Sequence, residues 1–254
     1  MSTGSAPPIL ETAALTRSFS GFTAVNSVDL TIGEGTVHAL VGPNGAGKTT
    51  LFNLLTGFLT PSSGTIHFQG RDITGMDPER IVPLGLARSF QITSLFEQMS
   101  LLEHLELALA SGTGLTRKFW KSVKVLGRFH DRGMQHLEEV GLADRANQAA
   151  GSLSYGQKRA LELALALALE PKLLLLDEPT AGMGLEDVDR TIELIQRLRH
   201  GRTVVFVDHN MHVVGSLADE VTVLQSGQIL AQGTYDGVRA DERVITAYLG
   251  ESHA

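Results

Sequence analysis

An α/β fold built on a mostly parallel sheet is predicted by three features of this 254-residue chain. Through its C-terminal half, helical stretches alternate with short apolar runs: helix over 154–170, strand over 172–176, helix over 185–200, then strands over 203–207 and 221–224. A glycine-rich loop, Gly42-Pro43-Asn44-Gly45-Ala46-Gly47-Lys48-Thr49, separates a strand-like run from a helix. The run Lys172-Leu173-Leu174-Leu175-Leu176-Asp177-Glu178 is apolar and ends in two carboxylates. Strands alternating with helices give a parallel sheet covered on both faces, which gathers its ligands at the C-terminal ends of the strands.

Taken in order, the chain divides into three zones. To about residue 73 it carries β-like runs with turn punctuation, 36–41 and 64–68 among them, and one helix starting near Lys48. From about 72 to 151 the β signals fade. Leu101, Leu102, Leu105 and Leu109 recur there at helix spacing, and Leu137, Val140 and Leu142 do so more loosely. The third zone holds the alternation described above. Within it Leu161, Leu163, Leu165, Leu167 and Leu169 alternate with Glu162 and alanines, superficially a strand. Alanine is the best helix former and a poor strand former, so the segment is expected to be a buried helix stopped by Pro171.

Composition narrows the function. With 43% hydrophobic and 19% charged residues the chain supports one compact unit. A net charge of −7 and a pI of about 5.7 argue against a nucleic-acid partner, whose footprints are basic. Without cysteine, neither disulfides nor thiolate metal sites can form. Residues 1–14 do not read as a secretory signal, and the longest apolar stretches, such as 161–169, fall well short of the ~20 residues needed to cross a bilayer. A soluble, intracellular protein is expected; work at a membrane would need another chain to supply the span.

Gly42, Gly47, Lys48 and Thr49 satisfy the pattern G-x-x-x-x-G-K-[ST] between a strand and a helix, the context its chemistry requires. Glycines let consecutive N–H groups fold around phosphate, and the helix N-terminus adds positive potential. Gly42, Pro43, Asn44, Gly45, Ala46, Gly47, Lys48, Thr49 and Thr50 are therefore candidate nucleotide contacts. Lys48 suits the β- and γ-phosphates, and the Thr49 hydroxyl suits Mg²⁺. Successive strand side chains point opposite ways, so Asp177 and Glu178 need not share a role. Asp177 fits Mg²⁺, and Glu178 would then polarise an attacking water.

Between these motifs, Leu153-Ser154-Tyr155-Gly156-Gln157 resembles the LSGGQ signature of ATP-binding-cassette (ABC) ATPases. The resemblance covers essentially the whole chain with its motifs in order. Phe19 matches the aromatic that stacks on adenine, Gln91 in Ala87-Arg88-Ser89-Phe90-Gln91 matches the Q-loop glutamine, and His209 in Val207-Asp208-His209 matches the switch histidine. Two departures stand out: Tyr155 replaces the first glycine of the signature pair, and Gly184 in Ala181-Gly182-Met183-Gly184 stands where the D-loop often has Asp.

The resemblance implies a P-loop NTPase of RecA-like core, with an N-terminal antiparallel β subdomain and a helical signature subdomain. It implies one ATPase domain over 8–251, with 8–91 and 158–251 as catalytic core and 92–157 as the helical part. ATP and Mg²⁺ are the implied ligands, with Thr49, Gln91 and Asp177 at the metal and Glu178 and His209 as catalytic residues. A head-to-tail dimer is also implied, in which Ser154, Tyr155, Gly156 and Gln157 of one subunit cap the nucleotide of the other.

Residues 153–183 and the ending Ala247-Tyr248-Leu249-Gly250-Glu251 look like the ATPase subunits of branched-chain amino acid importers. That resemblance implies integral membrane permease subunits, a second ATPase subunit (identical or a paralogue), an extracytoplasmic solute-binding protein, and a peripheral place on the cytoplasmic face of the inner membrane. The zone over about 92–109 would dock the permease. An exporter of a lipid-like substrate and a soluble non-transport ABC ATPase are the alternatives. Arg117, Lys118, Lys121, Lys124, Arg128 and Arg132, beside Phe119, Trp120, Val123, Leu126 and Phe129, form a local basic amphipathic segment. It is expected to pack its aromatic face on the domain, with contact to anionic lipid as the second reading.

Overall fold

In the computed structural model, which describes residues 8–89, 95–111 and 128–249, the chain opens with β1 (Pro8–Phe19), β2 (Phe22–Val28) and β3 (Thr31–Gly33). β4 (Val37–Val41) leads through the glycine loop into α1 (Lys48–Leu55), and β5 (Ser63–Phe68) and β6 (Arg71–Asp72) return to the first sheet. That sheet is antiparallel, in the order β2-β1-β5-β6, with β3 also paired to β1. Then come α2 (Pro78–Ile81), β7 (Leu86–Ser89), α3 (Leu101–Ser111), α4 (His130–Glu139) and α5 (Tyr155–Leu167). β8 (Leu173–Asp177), α6 (Leu185–Leu198), β9 (Thr203–Val207), α7 (Met211–Leu217), β10 (Glu220–Gln225), β11 (Gln228–Gly233), α8 (Tyr235–Arg239) and α9 (Glu242–Leu249) complete the described chain.

The second sheet runs β11-β10-β4-β9-β8-β7, parallel from β10 to β7 with β11 antiparallel at the edge. Every residue of β4, β8 and β9 is buried, which is what a strand covered on both faces demands. Their side chains divide between two cores by the period of two. Leu174, Leu176, Val204 and Phe206 pack towards the helices α3 to α6, whereas Leu173, Leu175, Val205 and Val207 pack towards α1 and the antiparallel sheet. Each buried leucine contributes about 1.5–3 kcal/mol relative to exposure, an upper figure for a chain whose unfolded state is already partly compact.

The leucine–alanine segment is indeed helix α5, with Leu161, Leu163, Ala164, Ala166 and Leu167 buried. Two expectations are corrected, over β7 and over the end of α4. The middle zone contains a strand, β7, which pairs in register with β8; at four residues, Leu-Ala-Arg-Ser, it is too short to show a period. α3 starts at Leu101, the first of the spaced leucines, where Ser100 and Glu103 close a capping box: Ser100 N donates to Glu103 Oε2 at 2.7 Å and Glu103 N to Ser100 Oγ at 3.2 Å. α4 ends at Glu139, so Val140 and Leu142 are buried in the following turn and not on the helix. A division at 157/158 would fall inside α5. Residues 117–127 of the basic segment lie outside the described residues; of its remainder, Phe129 is buried and Arg132 pairs with Glu170 at 2.6 Å. No described helix is long and apolar enough to cross a membrane.

Candidate functional site

The C-terminal ends of β4, β9, β8 and β7 lie side by side, so the sheet order itself gathers the glycine loop, Asp208-His209, Asp177-Glu178 and Ser89 along one edge. The loop after β4 closes by steric necessity. At Gly42 (φ 150°) a Cβ would stand 2.1 Å from the Leu224 carbonyl oxygen, and at Gly47 (φ 101°) it would stand 2.4 Å from that of Ala24. Only glycine meets both demands. Gly47 caps α1 without a side chain, so the helix entrance is bare backbone with Thr49 exposed beside it. Lys48 Nζ donates to the carbonyls of Gly42 (2.5 Å) and Pro43 (2.8 Å), curling over the loop that its charge would share with phosphate. Beneath the loop, His38 on β4 is fully buried against Thr222 (2.8 Å), and burial lowers its pKa from 6.5 to about 4. Glu220, 3.6 Å from the other ring nitrogen, is half exposed and water-solvated, so burial prevails.

The two acids separate as expected, and by more than strand alternation. Asp177 is 4% exposed and its Oδ2 receives Arg88 Nη2 at 2.6 Å. Arg88, on β7, also donates to Asn53 Oδ1 (2.6 Å) and lies over the rings of Phe52 and Phe58. Glu178 turns away from the strand in a left-handed conformation (φ 46°), unusual for a side chain with a Cβ. Its N–H donates to Val207 O at 2.8 Å, and Ala181 N returns to Glu178 O at 3.2 Å, making a tight turn.

That turn is braced from β9 and from α5. Thr180 Oγ1 donates to the buried Asp208 Oδ2 at 2.6 Å, while Asn210 N donates to Asp208 Oδ1 at 2.9 Å; His209, between them, is exposed. From α5, Tyr155 Oη donates to Ala181 O at 3.0 Å and Arg159 Nη2 to Glu178 O at 3.4 Å. Arg159 also pairs with Glu162 at 2.9 Å in a buried setting, where burial raises the Glu162 pKa and the arginine opposes the rise. Ser154 and Gln157 close a capping box at the start of the same helix. Gln157 therefore serves its own helix start first.

Phe19 ends β1 opposite Phe22, exposed on one side with the Arg17 guanidinium 4.7 Å from its ring centroid. It shares a two-stranded ribbon with Ala24, the residue that abuts Gly47. Gln91 lies outside the described residues. Arg88, Thr180 and Asp208 acquired no role from sequence. A polar residue closing an apolar strand is the signal that found Asp177, and it would also have found Asp208 after Thr203–Val207.

The Thr49 hydroxyl and the Asp177 carboxylate, both on this edge, are oxygen donors suited to a hard dication. Among the described residues no three His, Cys, Asp or Glu cluster as a metal cage. Mg²⁺ needs none, since it takes one or two protein oxygens and completes its shell with phosphate and water. On the outer side of the glycine loop a cleft of about 690 Å³ is bounded by Pro43, Asn44 and Gly45 and by Glu242, Arg243 and Thr246 of α9.

Comparison with known proteins matches residues 25–181 to the ABC transporter family and residues 228–254 to the branched-chain amino acid ATP-binding cassette transporter family. The chain is 40% identical to the high-affinity branched-chain amino acid transport ATP-binding protein BraF of Pseudomonas aeruginosa, across 96% of this chain and 99% of that one. It is 38% identical to LivG proteins described in the same words from Salmonella typhimurium and Escherichia coli, again over 96% and 99%. Among solved structures, the ADP conformation of the cassette MJ1267 superposes with a TM-score of 0.85 at 30% identity, over 96% of this chain and all of that one. A nucleotide-free cassette of an ABC transporter gives 0.84 at 30% identity, over 95% and 99%.

Proposed function

The chain belongs to the ABC transporter family of ATP-binding cassettes, and from that premise we propose that it is the ATP-hydrolysing subunit of an importer for branched-chain amino acids or a related small polar solute. The observation that carries the ATPase reading is the row of strand ends: the glycine loop, Asp208-His209 and Asp177-Glu178 share one edge in the order β4-β9-β8. The substrate class is supported by the relatives' names and by the family matched over 228–254, the segment whose α9 borders the glycine loop.

In this reading Gly42 to Thr50 wrap the phosphates of ATP, and Lys48 exchanges its loop carbonyls for phosphate oxygens. Thr49 and Asp177 would hold Mg²⁺ together with Gln91, and the ion would supply neutralisation of the phosphate charge. Glu178 orients the attacking water and accepts its proton, and exposed His209 holds the γ-phosphate side, steadied by Asp208 on Thr180. The free ring face of Phe19 stacks on adenine. Ser154 to Gln157 supply a helix N-terminus to the nucleotide of a second subunit, so ATP joins two subunits and its hydrolysis releases them. The helical part, taken as 92–157, moves with that closure and meets the permease; the core comprises 8–91 and 158–251.

A subunit of a transporter works beside membrane permeases, as a peripheral protein with no spanning helix among its described residues. We place it on the cytoplasmic face of the inner membrane with a solute-binding protein upstream. The test is affinity purification from gently solubilised membranes. Recovery of small permeases and a solute-binding protein, with uptake of leucine that depends on this chain, is the expected result. Recovery of an exporter, or of ribosomes or DNA alone, would overturn import.

A further inference from the structure

We propose that Tyr155, the residue that breaks the signature pattern, is a positioning residue for Glu178, linking the start of α5 to the turn that carries the catalytic carboxylate of the same subunit. The inference rests on the reading of Glu178 as the general base.

Tyr155 and Arg159 are four residues apart on α5 and so share a face. Both donate to the same short turn, Tyr155 Oη to Ala181 O at 3.0 Å and Arg159 Nη2 to Glu178 O at 3.4 Å. The two donors thus hold the turn at its first and last residues. The turn needs holding: Glu178 sits at φ 46°, a conformation that persists only where its surroundings determine it. The tyrosine ring also lies over Gly182 (φ 75°), with its hydroxyl 3.7 Å from where a Cβ there would stand. Glycine at position 155 could make neither contact. Gly184, three residues after Ala181, has open space around it and no side chain to fix the loop. The fixing side chain comes instead from the helix behind.

Tyr155 stands between Ser154 and Gly156, the groups that would meet the nucleotide of a second subunit. Any shift of the α5 entrance on meeting that nucleotide is carried to the turn of Glu178 by these two donors, with the Tyr155 hydroxyl the nearer to the nucleotide. Capture of ATP at one site thereby sets the base at the other. The tyrosine is half exposed, so water competes for its bond and the effect is modest.

The experiment removes only the hydroxyl. In the full-length protein, Tyr155→Phe is expected to lower kcat for ATP by about threefold to tenfold, with KM within about twofold and thermal unfolding unchanged. In a Glu178→Gln background the same change is expected to leave the ATP-driven dimer population, read by size-exclusion chromatography, as it was. Unchanged kcat for Tyr155→Phe overturns the proposal. So does loss of the dimer in the double variant, which would make Tyr155 a direct contact to the partner's nucleotide. Near-normal turnover by Glu178→Gln alone would instead remove the general-base reading on which the proposal stands.

Discussion

The two loops that meet at this site are held in opposite ways. The glycine loop between β4 and α1 is shaped mainly from within: Gly42 and Gly47 leave room for neighbouring carbonyls, and Lys48 bonds back to its own loop, with Gly227 N on Ala46 O (2.9 Å) as an outside bond. The turn from Glu178 to Gly182 is shaped from outside, by Tyr155 and Arg159 on α5 and by Asp208 after β9, while the acid before it is held by Arg88 on β7. A loop that fixes itself can be a permanent receptacle. A loop fixed by its neighbours takes a new position when they move, which is what a nucleotide-driven machine requires of its base.

The contrast can be broken or sharpened in steps of decreasing size. Glu178→Gln keeps the turn's backbone bonds and removes the carboxylate proposed as the base; turnover should fall by about 10²–10⁴-fold while ATP still binds, measured by phosphate release and nucleotide titration. Arg88→Ala acts from outside on Asp177, leaving a carboxylate that is 4% exposed without its ion pair. It should cost about 3–5 kcal/mol in denaturant unfolding. A cost below about 1 kcal/mol would mean that water already serves the carboxylate.

The glycine loop has a pH handle beneath it. His38 has a folded pKa of about 4 against 6.5, so between these values the unfolded chain binds the extra proton. Stability then rises with pH across this window and falls by up to about 3 kcal/mol as pH drops through it, with no further loss from this group below about 4. Urea midpoints from pH 7 to 4 should fall less steeply in His38→Gln than in the wild type. The smallest step is Gly47→Ala, whose methyl would stand 2.4 Å from the Ala24 carbonyl oxygen at φ 101°. Strain of about 1–3 kcal/mol is expected, read as at least about fivefold weaker ATP binding, since the atom met is a backbone carbonyl that cannot rotate away.

Self-shaped parts were also the parts legible in sequence. The glycine loop, the leucine strand with its two acids, helix α5 and the parallel core all announce themselves over a handful of consecutive residues. Contacts across long separations did not. Arg88 and Asp177 are 89 positions apart, Thr180 and Asp208 are 28 apart, and neither pairing leaves a periodic trace. β7 was lost because four residues with one arginine carry no alternation. The start of α3 falls at the first of the spaced leucines, Leu101, where Ser100 and Glu103 spell a capping box. Tyr155 was legible as a departure from a pattern, whereas its target, a backbone carbonyl, has no sequence signature at all.

The capping box at the head of α5 has a consequence for polarity. Ser154 Oγ accepts from Gln157 N, and the Ser154 N–H is itself taken by Gln157 Oε1 at 3.0 Å. A hydroxyl that accepts one bond inward still has one proton to give. The head of this helix can therefore present a hydroxyl donor, beside the helix N-terminus, to whatever stands before it. A helix so closed at its start is set to meet an anion before any arrives.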